Sequence, residues 1–479
     1  MFRFLAVLVF VAGLVAGPGA LPAAYAAPPA LTPAAVDDYL RTALDKTGLP
    51  GLSAVVTHGD RIVHAAGYGR DSGGRAVTAD TPMRIASLSK AFTATAVLIL
   101  VEEGRIGLDR PVAEQLPGFG LRDPRAGAVT VRHLLNQTSG LTDSTVDIGE
   151  LGEAGSLAEY VSRLRDAALA TDPGAAFEYC NVNYNLAARL VEVASGRSFG
   201  DFLAERVFGP LGMGHSAVRA DQVMPAEGFN SIFGRWVARP ELAGFLDDSG
   251  SGGVITTAAD LGKWLIAHNG HGPRLLSQAS LEVLHTSSPV DEYAMGWAPE
   301  SADGGADLLV HSGNLFTYNA FQAIDPATGF GFAVLANSAA LQDDTYDIVH
   351  GLVALSRGET PAQVGGGRQL FEAILGSIAV LALALGVAGV VRSQRWARRR
   401  AGRPWWAIAP RLLPAVLPIA VFAAYPPIIS FVTGGRHVTW SQLTYFAAPL
   451  TISLSVLALA GTATVTARLL RLRSVRSVQ

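Results

Sequence analysis

The sequence predicts an α+β fold, in which an antiparallel sheet is flanked by helices, carries a helical insertion and is followed by a C-terminal transmembrane helical region. Strand-type runs lie at residues 51–69 and again near 306–337, and mostly helical sequence separates them. Three long uncharged stretches follow residue 372. We therefore expect strands from both ends of the first domain to pair in one sheet, with helices packed on it.

The first elements carry clear boundary signals. Thr32 stands as an N-cap, Pro33 takes the first helical position and a glycine stop follows the run, which together predict a helix. The next stretch, GLSAVVTHGDRIVHAAGYG, consists of two β-rich runs that meet at Gly59-Asp60. This pattern predicts a β-hairpin.

The rest of the first domain follows from similar patterns. SLSKAFTATAVLILVEEGRIGL predicts a long, mostly buried helix that ends at Gly104. Residues 110–285 are helical and loop-rich, with frequent glycine and proline. Three strand-type runs then precede a final helix at about 341–357: ADLLVHSG, TYNAFQAID and GFGFAVLAN.

Composition excludes several classes of function. The net charge of −3, with mixed signs, gives no electrostatic footprint for nucleic acid. The single cysteine, Cys180, excludes an internal disulfide framework. No metal or other cofactor is expected, because His268 and His271 lack a carboxylate or cysteine partner at useful spacing.

An export signal is predicted for residues 1–26. Arg3 precedes an apolar run, and Ala24-Tyr25-Ala26 has the small residues of a cleavage site. An uncleaved membrane anchor is the alternative, although the apolar run is short for a span. The domain at 27–360 is therefore expected to be exported.

Three uncharged stretches predict a multi-pass membrane region after a polar linker at 361–372. Each is long enough to cross a hydrocarbon core of about 30 Å as a helix. The second contains four prolines, so a kinked or re-entrant segment is the alternative there. The three stretches are residues 373–391, 412–435 and 443–467.

Arginine placement predicts how these helices are oriented. The loop at 392–411 contains seven arginines, the loop at 433–442 contains one, and the tail at 468–479 contains four. Basic segments next to membrane helices remain in the cytoplasm. A cell-membrane protein with an extracytoplasmic first domain and a cytoplasmic C-terminus satisfies both this rule and the export signal.

The stretch IASLSKAF contains a candidate nucleophile and base. Ser87 and Lys90 are three residues apart, so on a helix their side chains share one face. A serine hydroxyl needs a base, and a lysine among apolar neighbours has its pKa lowered towards that role. Lys90 is one of three lysines in a chain that otherwise uses arginine, which cannot give up its proton. The alternative is a capping serine beside a solvated lysine.

Two further motifs follow in order along the chain. Tyr179-Cys180-Asn181 begins a predicted helix, and His311-Ser312-Gly313 ends a predicted strand. Together with Ser87-x-x-Lys90 they resemble the serine β-lactamase and penicillin-binding protein superfamily, in its class C β-lactamase-like branch. That branch includes D-Ala-D-Ala carboxypeptidases, D-aminopeptidases and serine esterases. The segments VRHLLNQTSGL and YAMGW also resemble it, and the resemblance covers about residues 35–357.

The resemblance implies a role for each motif residue. Ser87 would attack a carbonyl group, and Lys90 and Tyr179 would handle its proton, with the choice of base left open. The backbone N–H groups of Ser87 and Asn314 would form an oxyanion hole. The remaining residues would form the substrate-binding part of the site. Asn181 would hydrogen-bond the amide side chain of the substrate, and His311 would face the substrate carboxylate or the Tyr179 hydroxyl. Gly313 would contribute as part of the strand that carries His311.

Several departures from the family pattern leave the substrate open. Asn136-Gln137 replaces a common Thr-His pair, and the bulk of Leu315 and Phe316 could narrow the pocket. The predicted function is a membrane-anchored extracytoplasmic serine hydrolase that acts through an acyl-enzyme on peptide, amide or ester bonds. The expected small-molecule or peptide substrates are β-lactams or D-Ala-type cell-wall peptides, such as those of peptidoglycan. A carboxylesterase with the same residues and a non-catalytic penicillin-recognising sensor are the alternatives. Membrane spans acting as the functional unit are less favoured, because they contain few ionisable residues.

One competing motif is GRSFG at 196–200, which matches the G-x-S-x-G pattern of α/β-hydrolases. That nucleophile needs a strand before it, whereas helical sequence precedes and follows Ser198. We therefore predict that Ser198 caps a helix.

Overall fold

A six-stranded antiparallel sheet forms the centre of the N-terminal domain. The computed structural model describes residues 31–242, 244–301 and 307–477, so the predicted export signal lies outside the described residues. The strand order is β2-β1-β10-β9-β8-β7, and every neighbouring pair is antiparallel. The strands of the described chain are β1 Gly51–His58, β2 Arg61–Gly69, β3 Met83–Arg84, β4 Gly228–Ile232, β5 Arg235–Arg239, β6 Ile255–Thr256, β7 Ala298–Glu300, β8 Leu308–Asn314, β9 Asn319–Asp325, β10 Phe330–Ala336 and β11 Ser338–Ala339.

The two ends of the domain meet in the middle of this sheet. β1 pairs with β10 from Leu52 opposite Ala336 to His58 opposite Phe330. Successive side chains of a strand point to opposite faces. Leu52, Ala54 and Val56 accordingly belong to one apolar core, and Val55 to the other. The predicted closure of one sheet by both ends of the domain is confirmed.

Helices cover both faces of the sheet. The helices predicted at the two ends of the N-terminal domain are confirmed. The first begins after the Thr32 cap, whose side chain accepts a hydrogen bond from the N–H of Ala35. The helices of the described chain are α1 Pro33–Thr47, α2 Ser89–Glu102, α3 Val112–Gln115, α4 Val131–Leu135, α5 Ile148–Gly152, α6 Leu157–Ser162, α7 Asn181–Ser195, α8 Phe199–Leu203, α9 Gly209–Leu211, α10 Ala220–Val223, α11 Ala258–His268, α12 Gln278–His285, α13 Asp344–Ser356, α14 Gly367–Val391, α15 Ser393–Arg398, α16 Trp405–Ile408, α17 Leu413–Ala423, α18 Tyr425–Val432, α19 Trp440–Leu443 and α20 Ala448–Arg476.

The helical insertion also contains short strands that the sequence pattern did not predict. β4 and β5 form a hairpin, and β4 pairs in parallel with β11. The residues of β5 are mostly exposed, so the strand lacks the alternation of apolar and polar residues that marks a half-buried strand. The turn between the strands uses Phe233 and Gly234, both at positive φ.

The C-terminal region is a bundle of apolar helices. Among the described residues, α14 and α20 are each long and apolar enough to cross a membrane, and a third span is added if the bent pair at 405–423 counts as one. α14 and α20 pack closely, with Ser453 donating to the carbonyl of Leu375 at 3.0 Å. The second predicted stretch is broken into α17 and α18 at Ala424, as expected for a segment with four prolines.

A buried polar cluster joins α14 to the N-terminal domain. Arg368 is 4% exposed and donates to the carbonyl of Thr47 at 2.7 Å and to the hydroxyl of Ser231 at 2.9 Å. Glu372 accepts hydrogen bonds from the same hydroxyl and from the backbone N–H of Gly234. The first apolar helix is therefore held against the domain from its first turn, before its apolar part begins.

Candidate active site

Ser87 lies on a short turn directly before a buried helix. Residues 86–88 form one 3₁₀ turn, and α2 begins at Ser89, two residues after Ser87. Ala86 has φ +50°, a left-handed conformation that is unfavourable for a residue with a side chain. The surrounding packing holds this conformation, since Ala86 and Leu88 are buried while Ser87 is half-buried. The turn therefore presents the Ser87 hydroxyl to a cleft.

Lys90 is fully buried on the first turn of α2, beneath Ser87. Its Nζ lies 2.9 Å from Ser87 Oγ, 2.9 Å from Asn181 Oδ1 and 2.8 Å from the carbonyl oxygen of Ser251. Burial lowers the pKa of Lys90 well below its ordinary value, and the positive charge of Arg436 lowers it further. The structure thus brings together the serine, the lysine and the asparagine that the motifs predicted.

Tyr179 faces the same point from the segment before α7. Its ring centroid is 4.8 Å from Lys90 Nζ. Burial raises the pKa of Tyr179 to about 12, although a hydrogen bond with Ser87 opposes the shift. Its hydroxyl therefore remains protonated at neutral pH, close enough to Ser87 for that residue to influence its pKa.

Gln137 fixes the segment that carries Tyr179 and Asn181. Its side-chain oxygen accepts hydrogen bonds from the N–H of Cys180 at 3.1 Å and from the side chain of Asn183 at 2.6 Å. Cys180 itself is buried, and burial raises the pKa of its thiol to about 12. The cysteine within this motif is therefore a packed, protonated side chain rather than a reactive thiolate.

His311 lies on β8 next to a tyrosine that sequence reasoning missed. Its Nδ1 is 2.7 Å from the carbonyl oxygen of Ser312, and its Nε2 is 3.0 Å from the hydroxyl of Tyr293. Burial is the main cause that lowers the pKa of His311 to about 4, and Lys90 adds to the shift when its amine is charged. Hence Nδ1 carries the proton, and Nε2 accepts a hydrogen bond from Tyr293. The resemblance had suggested Tyr179 or a substrate carboxylate as the partner of His311, and the structure has Tyr293 instead.

Gly313 and Asn314 complete the edge of the site. A Cβ atom at Gly313 would lie 2.3 Å from the carbonyl oxygen of Ile85, so only glycine lets β8 approach the turn that carries Ser87. Asn314 ends the strand and, with its amide nitrogen turned towards acceptors, donates to Asp343 Oδ2 at 3.0 Å. Gly313 thus lies against the Ser87 turn, and Asn314 lines the same cleft as Ser87.

A cleft of about 670 Å³ opens over Ser87. Leu315 and Phe316 line it, as the sequence suggested, and Glu241 fixes that loop by accepting from the N–H groups of Phe316 and Thr317. Asn181, Asn314 and Ser251 also line the cleft. This volume is in the range of small-molecule binding sites.

Three residues of the site were not found from the sequence. Tyr293 lies within YAMGW, a segment that signalled family resemblance but no role. Asp143 and Arg436 line the cleft together and form an ion pair, with Arg436 Nε 2.8 Å from Asp143 Oδ2. Arg436 comes from the predicted membrane region, and no local pattern links it to the Ser87 motif.

The competing serine has a structural role. Ser198 is the N-cap of α8, and its hydroxyl accepts a hydrogen bond from the N–H of Asp201 at 3.1 Å. The prediction that it caps a helix is confirmed. Within the described part of the chain, no group of three or more His, Cys, Asp or Glu side chains could hold a metal ion.

Comparison with known proteins now decides the family. The sequence profile of the beta-lactamase family matches residues 36–355. The chain belongs to this family. The match confirms the resemblance to serine β-lactamases and penicillin-binding proteins.

Similar proteins agree with this beta-lactamase family membership. The chain is 33% identical to "Penicillin-binding protein 4" of Amycolatopsis lactamdurans over 63% of this chain and 83% of that protein. It is 27% identical to "Protein flp" of Staphylococcus aureus, with 63% of this chain matching 62% of that protein. The solved octameric penicillin-binding protein homologue from Pyrococcus abyssi superposes with a TM-score of 0.60 at 27% identity, over 68% of this chain and 77% of that one.

Proposed function

We propose that this protein is a membrane-anchored extracytoplasmic serine hydrolase that forms an acyl-enzyme on Ser87. The observation that carries the proposal is the contact of 2.9 Å between Ser87 Oγ and Nζ of the fully buried Lys90. Members of the beta-lactamase family are serine hydrolases, and the contact supplies the nucleophile and base that such a reaction needs. D-Ala-type cell-wall peptides and β-lactams are the proposed substrates.

In the proposed reaction Lys90 acts as a neutral amine, the form that burial favours. In that state its two N–H groups donate to Asn181 Oδ1 and to the carbonyl of Ser251. The lone pair then points to the third partner, Ser87 Oγ, whose proton it accepts as Oγ attacks the carbonyl carbon. Because burial lowers its pKa, the neutral amine is populated at lower pH than for an exposed lysine.

Tyr179 is better suited to relay a proton than to act as the first base. Its raised pKa, about 12, keeps the hydroxyl protonated. The opposite pKa shifts of the two groups therefore favour Lys90 as the base in acylation. Tyr179 can donate its proton to the leaving nitrogen or oxygen and recover one from Lys90, which balances the step that breaks the scissile bond.

The negative charge that develops on the carbonyl oxygen needs donors close to Ser87. The N–H groups of Ser87 and Asn314 are proposed to supply them, since β8 lies against the Ser87 turn. Losing one such donor typically slows acyl transfer on the order of 10²–10³-fold. Water then attacks the acyl-enzyme from the cleft, releasing the acid and restoring the serine.

Two alternatives remain distinct from this proposal. A carboxylesterase would use the same residues on neutral esters. A non-catalytic sensor would recognise penicillins or wall material without turnover and would not need a base. The buried, neutral-tending Lys90 beside Ser87 favours a catalytic role over the sensor.

The test uses the full chain in detergent and two fluorescent probes. A penicillin reports β-lactam and D-Ala recognition, and a fluorophosphonate reports any activated serine. We expect the wild type to react with both probes and Ser87→Ala with neither, while Ser198→Ala, the matched serine variant, reacts like the wild type.

Each other outcome assigns a different function. Label retained in Ser87→Ala would show that Ser87 is not the nucleophile. Reaction with the fluorophosphonate alone would favour the esterase. Binding of wall fragments without reaction of either probe would favour the sensor.

A further inference from the structure

We propose that Arg436, supplied by the loop between the last two apolar helices, binds the carboxylate of the substrate in the Ser87 cleft. The inference deepens the proposed function and rests on it, because it names the substrate class of the same site as anionic acyl donors. It also makes the C-terminal helical region part of the active site rather than only an anchor.

Arg436 is held at the cleft by its side chain and its neighbour. Its Nε donates to Asp143 Oδ2 at 2.8 Å, and the N–H of His437 donates to the same oxygen at 3.1 Å. The guanidinium carbon lies 5.3 Å from the ring centroid of Tyr179. Arg436 therefore stands beside the residues that handle the Ser87 proton.

The two terminal nitrogens of Arg436 are suited to donate hydrogen bonds to a ligand. A guanidinium has five N–H donors, and Asp143 uses the one at Nε. The side chain is 34% exposed, whereas Asp143 is 5% exposed. Asp143 thus orients the guanidinium from below, and its outer edge can bind a carboxylate through two parallel hydrogen bonds.

No other lysine or arginine among the described residues lines this cleft. His311 occupies the place of the family lysine, but its low pKa leaves it neutral, and both its nitrogens are hydrogen-bonded within the protein. Lys90 is buried below Ser87 and bound to three protein oxygens. Arg436 is therefore the cationic side chain that is placed to bind a substrate carboxylate.

Two acidic side chains besides Asp143 border the cleft, and neither forms an ion pair with Arg436. Glu241 is engaged with the backbone N–H groups of Phe316 and Thr317 and with the hydroxyl of Thr317. Glu153 is exposed at the rim, where solvent screens its charge. Beyond the paired Asp143, acidic groups therefore oppose the attraction of Arg436 for a carboxylate only weakly.

Separate contacts dock the loop on the domain. Arg239 donates to the carbonyl of Thr444 at 2.6 Å, and its guanidinium carbon lies 3.4 Å from the ring centroid of Tyr445. Tyr445 also contacts the ring of Phe316, which lines the cleft. These contacts lie outside the pair of Arg436 and Asp143, so loop position and charge recognition can be separated by mutation.

The experiment compares an anionic and a neutral acylating probe on the full chain. Penicillin carries a carboxylate, whereas the fluorophosphonate is uncharged. We expect Arg436→Gln to lower the ratio of penicillin to fluorophosphonate labelling rates about ten- to a hundredfold, the range for losing a charged hydrogen bond. Arg436→Lys should recover part of the ratio. The ratio is used because Arg436 also affects the pKa of Lys90, which changes both rates.

Arg239→Gln is the matched control. It weakens the docking of the same loop without removing the charge from the cleft, so the ratio should stay near the wild-type value even if both rates fall. An unchanged ratio in Arg436→Gln, or an equal fall in both arginine variants, would overturn the proposal.

A binding measurement separates this inference from the proposed reaction. Equilibrium binding of an acyl-D-Ala-D-Ala peptide and of its C-terminal carboxamide is measured on full-length Ser87→Ala, which cannot acylate at this position. We expect the peptide acid to bind more tightly than the amide, and Arg436→Gln to abolish that preference. A preference that survives Arg436→Gln refutes the inference whatever the outcome of the labelling with Ser87→Ala.

Discussion

At the scale of single residues, the environment of Lys90 determines its chemistry. Its three hydrogen-bonding partners are a hydroxyl, an amide oxygen and a backbone carbonyl, and none of them is a carboxylate. A buried ammonium without a counter-charge is costly. The neutral amine is therefore favoured, which is the state that a base needs.

The pH dependence of acylation should report the lowered pKa of Lys90. Its neutral form extends below the ordinary lysine range, so the rate of fluorophosphonate labelling should rise with pH and level off well below pH 10.5. The measurement is a rate profile of the full chain from about pH 5 to pH 10, around the ordinary side-chain values. A rate that still rises steeply at pH 10 would contradict the lowered pKa.

Lys90→Arg and Lys90→Met serve as controls for this profile. Arginine keeps the charge but cannot lose the proton, and methionine keeps an unbranched side chain without an amine. Both substitutions should slow labelling about 10²–10⁴-fold, the usual contribution of a general base. The labelling rate of both variants should no longer rise with pH. Thermal unfolding measured in parallel identifies any variant that fails to fold.

At the scale of secondary-structure elements, the site depends on the approach of β8 to the Ser87 turn. The methyl group of an alanine at position 313 would lie 2.3 Å from Ile85 O and 2.9 Å from Leu88 Cδ1. One of these contacts belongs to the backbone, so a side-chain movement alone cannot relieve it. The strand and the turn would have to separate.

Gly313→Ala should therefore lower both stability and reactivity. We expect a loss of about 1–3 kcal/mol in the free energy of unfolding, as for overpacked cores, together with slower labelling of Ser87. Thermal denaturation and labelling rates are measured on the full chain. Gly214→Ala is the control, since a methyl group there meets nothing within 4 Å. Equal behaviour of the two variants would contradict the tight approach of β8.

At the scale of the whole molecule, the contact between the predicted membrane region and the cleft constrains the proposed topology. The loop at 433–442 touches the N-terminal domain through Arg436 and His437. In the proposed membrane arrangement, this loop and the N-terminal domain therefore lie on the same side. Arginine counts led to the same arrangement, with the loop at 392–411 on the other side.

Cysteine labelling tests this arrangement, because Cys180 is the only cysteine and is buried. Asp60, between β1 and β2, and Gln394, in the loop at 392–411, are both exposed. An impermeant maleimide should label Asp60→Cys in intact spheroplasts, and Gln394→Cys only after permeabilisation. The wild-type protein is the unlabelled control. The reverse pattern would exclude an extracytoplasmic active site.

Local signals explain why much of the fold could be predicted. The cap at Thr32, the Gly59-Asp60 turn and the apolar run after Ser89 each act over a few residues. The hairpin of β4 and β5 was missed because its exposed second strand has no apolar alternation. The motif of Ser87 and Lys90 was accessible for the same reason as the helices, since i and i+3 spacing is local.

The sequence by itself determined the fold class, the apolar stretches and the motifs that the cleft brings together. Only the tertiary structure decided which other side chains contact the motif residues. It paired His311 with Tyr293 and brought Arg436 to Asp143, 293 residues away along the chain. Such pairings depend on how the sheet, the insertion and the C-terminal apolar helices pack, and no short segment encodes that packing.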